Sequence, residues 1–127
     1  MAWLKKHAAA TDEYDITGLI PVPIDAGRLS VERVGGITVL SAENMKLGEI
    51  AGSNIDLLPN GTLPVGLRTR RSKWHNISMS NGRIVRIALT AGGRLVAYYA
   101  QTGDVLHFTL LFPTPGAMPT TMPGVKL

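Results

Sequence analysis

An antiparallel all-β fold, a jelly-roll-like β-sandwich of about seven or eight short strands, is what this 127-residue chain predicts, and three observations carry it. Tight-turn dipeptides come first. Asn81-Gly82 and Gly92-Gly93 divide residues 62–112 into short strands, and Gly35-Gly36 punctuates an earlier pair; such dipeptides supply the positive φ of two-residue hairpin turns. Second, apolar and polar residues alternate with a period of two. In residues 104–112 Leu106, Phe108, Leu110 and Phe112 share one face, with His107 and Thr109 on the other. Third, the short strands recur at intervals of roughly ten residues with glycine and proline between them, which suits a sandwich or small barrel and not βα units.

Taken in order, residues 1–14 form a polar amino-terminal arm. A short helix over residues 2–10 is expected to be marginal, because Trp3, Leu4 and His7 make too small an apolar face. Ile16-Thr17-Gly18-Leu19-Ile20 predicts a brief strand ended by Pro21 and Pro23. Leu29 and Val31 alternate with Arg28, Ser30 and Glu32, so residues 28–40 predict a hairpin turning at Gly35-Gly36. Residues 45–58 predict two short strands, since Gly48 and Gly52 weaken any helix. In residues 83–91 Val85, Ile87 and Leu89 oppose Arg86, Ala88 and Thr90. Residues 94–100 are apolar on both faces, with Val96 and Tyr98 opposite Leu95, Ala97 and Tyr99, which predicts one face on the core and the other on a neighbouring subunit. Residues 113–127 hold four prolines and two glycines; they predict an extended tail, either disordered or laid along a partner. The domain itself is expected to span residues 15–113, with the tail proper at 114–127.

Composition narrows the function classes. A single domain of this size buries about two thirds of its unfolded surface. The absence of cysteine removes disulfides, thiolate metal sites and cysteine nucleophiles. No run of about 18 apolar residues exists, so membrane insertion is not expected. No apolar stretch of signal-peptide length follows Lys5 and Lys6, which predicts a chain made without export.

The chemistry-bearing residues form no catalytic constellation. Nine acids are scattered, and His7, His75 and His107 lack metal-ligand spacing. No Gly-x-Ser-x-Gly segment is present. The chain therefore predicts a non-enzyme with no cofactor and no metal. His75 shares a face with Ile77 and Met79 and predicts a partly buried histidine, while His107 predicts a solvent or subunit contact. Arg68, Arg70, Arg71 and Lys73 cluster beside Trp74 and could meet phosphates, although a short run without a binding motif makes nucleic acid an unlikely partner. Sugar recognition would want exposed aromatic faces beside polar groups, and Trp74, Tyr98, Tyr99 and Asn76 are candidates. The competing reading puts Trp74 and one tyrosine in the core or a trimer seam.

The order of elements resembles the small β-sandwich domains of tailed-bacteriophage virion proteins, chiefly the minor tail, tail-fibre and receptor-binding proteins of actinobacterial phages. The likeness rests on Asp15-Ile16-Thr17-Gly18-Leu19-Ile20, on the hairpin Gly27-Arg28-Leu29-Ser30-Val31-Glu32-Arg33-Val34-Gly35-Gly36, and on Leu63-Pro64-Val65-Gly66-Leu67-Arg68. Ala91-Gly92-Gly93-Arg94-Leu95 and Leu111-Phe112-Pro113 complete it. It covers residues 15–113 in short, degenerate pieces. Leu67 replaces the family's aromatic, and Thr69-Arg70-Arg71 replaces the proline after its arginine. The resemblance implies a virion component, assembled in the host cytoplasm, that forms homotrimers and attaches to host cell-surface polysaccharide. A capsid decoration protein that stabilises the phage head is the alternative, with the arm and tail reaching other virion proteins. Ligand or partner contacts are then expected at Arg68, Arg70, Arg71, Lys73, Trp74 and Asn76, and a trimer interface at Val96, Tyr98 and Tyr99.

Overall fold

The computed structural model describes residues 9–79 and 81–127, and the chain is an antiparallel β-sandwich. Nine strands form two sheets among these residues: β1 (Tyr14–Asp15), β2 (Ile24–Val34), β3 (Ile37–Leu47), β4 (Ile55–Leu58), β5 (Lys73–Ser78), β6 (Ile84–Leu89), β7 (Leu95–Tyr98), β8 (Val105–Pro113) and β9 (Val125–Lys126). One sheet runs β8-β3-β2-β1-β9 and the other β4-β7-β6-β5. The alternation read from the sequence sets the layers. Leu29, Leu40, Phe108 and Phe112 from the first sheet meet Leu57, Ile87, Leu89 and Leu95 from the second in one buried cluster. Ile16, Leu63 and Leu67, from connecting segments, close its ends.

The turns differ from the expected two-residue type. β5 pairs with β6 as Ser78↔Ile84 and β6 with β7 as Leu89↔Leu95, and the amides of Met79 and Thr90 continue the ladders to Arg83 and Arg94. Three residues therefore make each loop, and the last, Gly82 (φ 84°) or Gly93 (φ 82°), has positive φ. This is the turn-plus-bulge hairpin, in which one glycine suffices. Gly35-Gly36 does make a two-residue loop, since Val34 pairs with Ile37.

Two expectations are corrected. Residues 16–20 form no strand: the Asp15 carboxylate accepts from the Thr17 amide (2.9 Å) and hydroxyl (2.6 Å), curling the chain into a 3₁₀ turn at Thr17–Leu19. The proline-rich tail is laid along its own domain. Thr114 donates its amide to Gly36, and β9 pairs with β1 at the sheet edge through the proline-free dipeptide Val125-Lys126. The arm is fastened too. Ala10 bridges Val34, and the Thr11 amide donates to Arg33 O at 2.9 Å. Most of the helix expected over residues 2–10 lies outside the described residues.

Arg33 ties these parts together. It is buried on the core side of β2 and meets carbonyls: Nε donates to Gly35 (2.7 Å), Nη1 to Gly66 (2.8 Å) and Ala117 (3.1 Å), and Nη2 to Thr114 (3.4 Å). A buried cation is tolerable when its donors are met, and carbonyls take four of the five here. The Leu63-Pro64-Val65-Gly66-Leu67-Arg68 segment is thereby explained structurally. Leu63 and Leu67 enter the core, Arg68 Nε donates back to Leu63 O (2.7 Å), and Gly66 passes under the tail. A side chain on Gly66 would lie 2.6 Å from Ala117 O and 2.7 Å from Pro119 Cδ.

Candidate functional site: an aromatic platform on the four-stranded sheet

The outward face of the four-stranded sheet gathers the aromatic residues. Alternation in β5 sends Lys73, His75 and Ile77 to the inner side and Trp74 and Asn76 outward. Register then places Trp74 beside Ala88, Ala88 beside Val96, and Asn76 beside Arg86 beside Tyr98. Trp74 and Tyr98 stand two strands apart, yet their rings stack at 6.0 Å with planes 21° apart. They can meet because the residue between them, Ala88, is small. The Arg86 guanidinium lies 5.5 Å from the centre of the Trp74 ring, and its Nε donates to Asn76 Oδ1 at 3.2 Å.

Tyr99 completes the group by breaking the strand rule. Successive strand residues point to opposite faces, so Tyr98 and Tyr99 should diverge. Tyr99 instead adopts φ 65°, which ends β7 and brings its ring to 6.4 Å from that of Tyr98. A non-glycine residue in this region costs about 1–3 kcal/mol and persists only where its surroundings hold it. Arg83 does so: Nη2 donates to Tyr99 O at 2.7 Å, and the guanidinium pairs with Asp104 at 2.8 and 3.1 Å. That hydrogen bond to Asp104 first, and its charge as well, raise the Arg83 pKa against the opposing effect of burial. Asp104 also accepts from the Gln101 amide (2.8 Å), so the loop after Tyr99 is knotted at both ends.

Trp74, Arg86, Tyr98 and Tyr99 line a shallow depression of about 220 Å³. Trp74 is 59% exposed and Tyr99 62%, which overturns the core reading of Trp74. Exposed tryptophan and tyrosine faces, fixed by stacking and strain, suit a flat ligand with an apolar side. Larger hollows exist elsewhere. One of about 440 Å³ runs between Arg68, Arg70 and Pro115, and one of about 310 Å³ lies beside Asp104. In the first, Arg68 Nε is already spent on Leu63; in the second, Asp104 is spent on Arg83. Neither collects aromatic rings.

The expected site residues are thus regrouped. Trp74 and Asn76 sit on the platform with Tyr98 and Tyr99, whereas Arg70, Arg71 and Lys73 lie around a separate hollow against Pro113. Val96 is only 3% exposed within the single chain, covered on the outer face, so it offers little surface to another subunit. His75 is exposed, its ring 6.3 Å from Phe108, because β5 is a sheet edge and its inner side opens to solvent. His107 is exposed and accepts from the Asn44 amide at 3.1 Å. Arg83, Asp104 and Ala88 are not singled out as site residues by the sequence, which sets Arg86 opposite Val85, Ile87 and Leu89 without joining it to Trp74. Among the described residues, no group of three His, Asp or Glu side chains could hold a metal ion. No family of known proteins, no curated protein and no solved structure matches this chain.

Proposed function

We propose that this β-sandwich is a non-enzymatic attachment subunit of a tailed-phage particle, forming surface trimers that bind host cell-surface polysaccharide through the Trp74–Tyr98–Tyr99 platform. The exposed, pre-stacked aromatic face supports this reading best. A pyranose ring has an apolar C–H face that packs on the electron-rich face of an indole or phenol, and its hydroxyls seek polar groups at the rim. Asn76 and Arg86 are such groups. The strain at Tyr99 supports it further, since residues held in strained backbone cluster at ligand clamps and active sites. The capsid-decoration alternative expected both ends to contact capsid protein; among the described residues, 10–15 and the tail from Thr114 also bond to their own sandwich, which gives that alternative no separate support. Nucleic-acid binding drew on the cluster Arg68, Arg70, Arg71 and Lys73, which lines two hollows that share Arg70 and contain no aromatic ring.

The test is binding of the multivalently displayed chain to cell-wall polysaccharide of actinobacterial hosts. The native chain is expected to bind, and Trp74→Ala to lose about tenfold or more while its unfolding transition is nearly unchanged. Equal binding by the two proteins would defeat the proposal.

A further inference from the structure

We infer that the saccharide taken by this platform is anionic, with a carboxylate or phosphate seated on Arg86; the inference rests on the platform being a saccharide site. Asp56 is the only acid in the four strands of this sheet, and it is occupied: Arg94 Nε donates to it at 2.8 Å. Asp104, the acid behind Tyr99, is occupied by Arg83. Arg86 therefore has no counter-ion among the described residues. Its Nε is used by Asn76, which together with Trp74 fixes the plane of the guanidinium. The two terminal nitrogens are left with no partner among the described residues, and the side chain is exposed. A guanidinium held this way presents a two-pronged donor that matches the paired oxygens of a carboxylate or phosphate. It stands beside the aromatic face, so a sugar ring on Trp74 or Tyr98 can carry its charge to Arg86. A neutral sugar would use only part of the site.

Three matched probes test this: an oligogalacturonate, an oligosaccharide bearing glycerol phosphate, and a neutral oligoglucan of equal length. Each is titrated into the native chain, Arg86→Gln, Arg86→Lys and the double variant Arg70→Gln/Arg71→Gln at two salt concentrations. The expected result is tighter binding of at least one charged probe than of the neutral one, by about tenfold. The better charged probe identifies the oxyanion. Arg86→Gln should erase the preference by weakening the charged probe about tenfold more than the neutral one, and Arg86→Lys should keep only part of it. The Arg70/Arg71 double variant should keep it in full. Equal binding of charged and neutral probes overturns this inference and leaves the saccharide platform standing. Loss of the preference in the Arg70/Arg71 variant, and not in Arg86→Gln, also overturns it. Failure of the native chain to bind any of the three, or the host polysaccharide, overturns both.

Discussion

Tyr99 joins a backbone penalty to an exposed ring, and the two can be separated by substitution. At an ordinary strand position glycine is less stable than alanine, because it loses more backbone freedom on folding. With φ at 65°, alanine keeps the strain and glycine removes it. Tyr99→Gly is therefore expected to be more stable than Tyr99→Ala by about 1 kcal/mol in denaturant unfolding, while both lose polysaccharide binding to a similar extent. The reverse order of stability would mean that the positive φ is not a feature of the native chain. The ring position was not legible in the sequence, because alternation assigns Tyr98 and Tyr99 to opposite faces and nothing local marks a tyrosine for the left-handed region. Trp74 shows a different limit. Its period put it on the same face as Asn76, but only the pairing of sheets decides which face is covered. Its link to Arg86 depended on loop length: with three-residue loops, Asn76 falls opposite Arg86 and Trp74 opposite Ala88. That register cannot be drawn from a two-residue turn.

Among the elements, the hairpins were legible and the terminal segments were not. Turn glycines and two-residue periodicity are local signals, so β2, β3, β5, β6, β7 and β8 all follow from neighbouring residues. β9 pairs with β1 more than a hundred residues away, through only two residues each, and no local pattern specifies so distant a contact. Pro115, Pro119 and Pro123 showed only where a ladder could not run, and Pro113 stands at the last rung of β8. What fastens the tail is Arg33 together with the absent side chain of Gly66. Replacing Arg33 by Met removes donors to Gly66, Thr114 and Ala117 at once and leaves the buried carbonyls of Gly66 and Thr114 without partners, at about 1–3 kcal/mol each. Gly66→Ala pushes on the tail backbone instead. Both variants are expected to be destabilised, and limited proteolysis should cut residues 114–127 faster than in the native chain. Arg86→Gln, at an exposed position, should show no such change. A protected tail in both variants would show that β9 and the Thr114 bonds hold it without them.

At the scale of the whole molecule, the platform and the proposed trimer compete for one surface. The seam expected from the sequence used Val96, Tyr98 and Tyr99, yet Val96 is already covered, and the two tyrosines belong to the platform. If subunits met there, the rings would be unavailable to a saccharide. The five-stranded sheet offers a different apolar surface. Leu111 on the edge strand β8 pairs with Val39, and Ile37 with Pro113; Leu111 is 62% exposed and Ile37 41%. A proposed trimer that leaves the platform open therefore uses this side. The mass of the assembled protein in solution, measured by light scattering, is expected to be the same for the native chain, Trp74→Ala and Tyr99→Ala. Leu111→Lys, which puts a charge on an exposed apolar spot without disturbing the core, is expected to lower that mass to one chain. Its binding to a single short oligosaccharide should stay at the native value, while retention on polymeric polysaccharide falls by about a hundredfold or more as avidity is lost. A drop in mass caused by Trp74→Ala or Tyr99→Ala would instead make the aromatic face the seam, and the saccharide site would have to lie elsewhere.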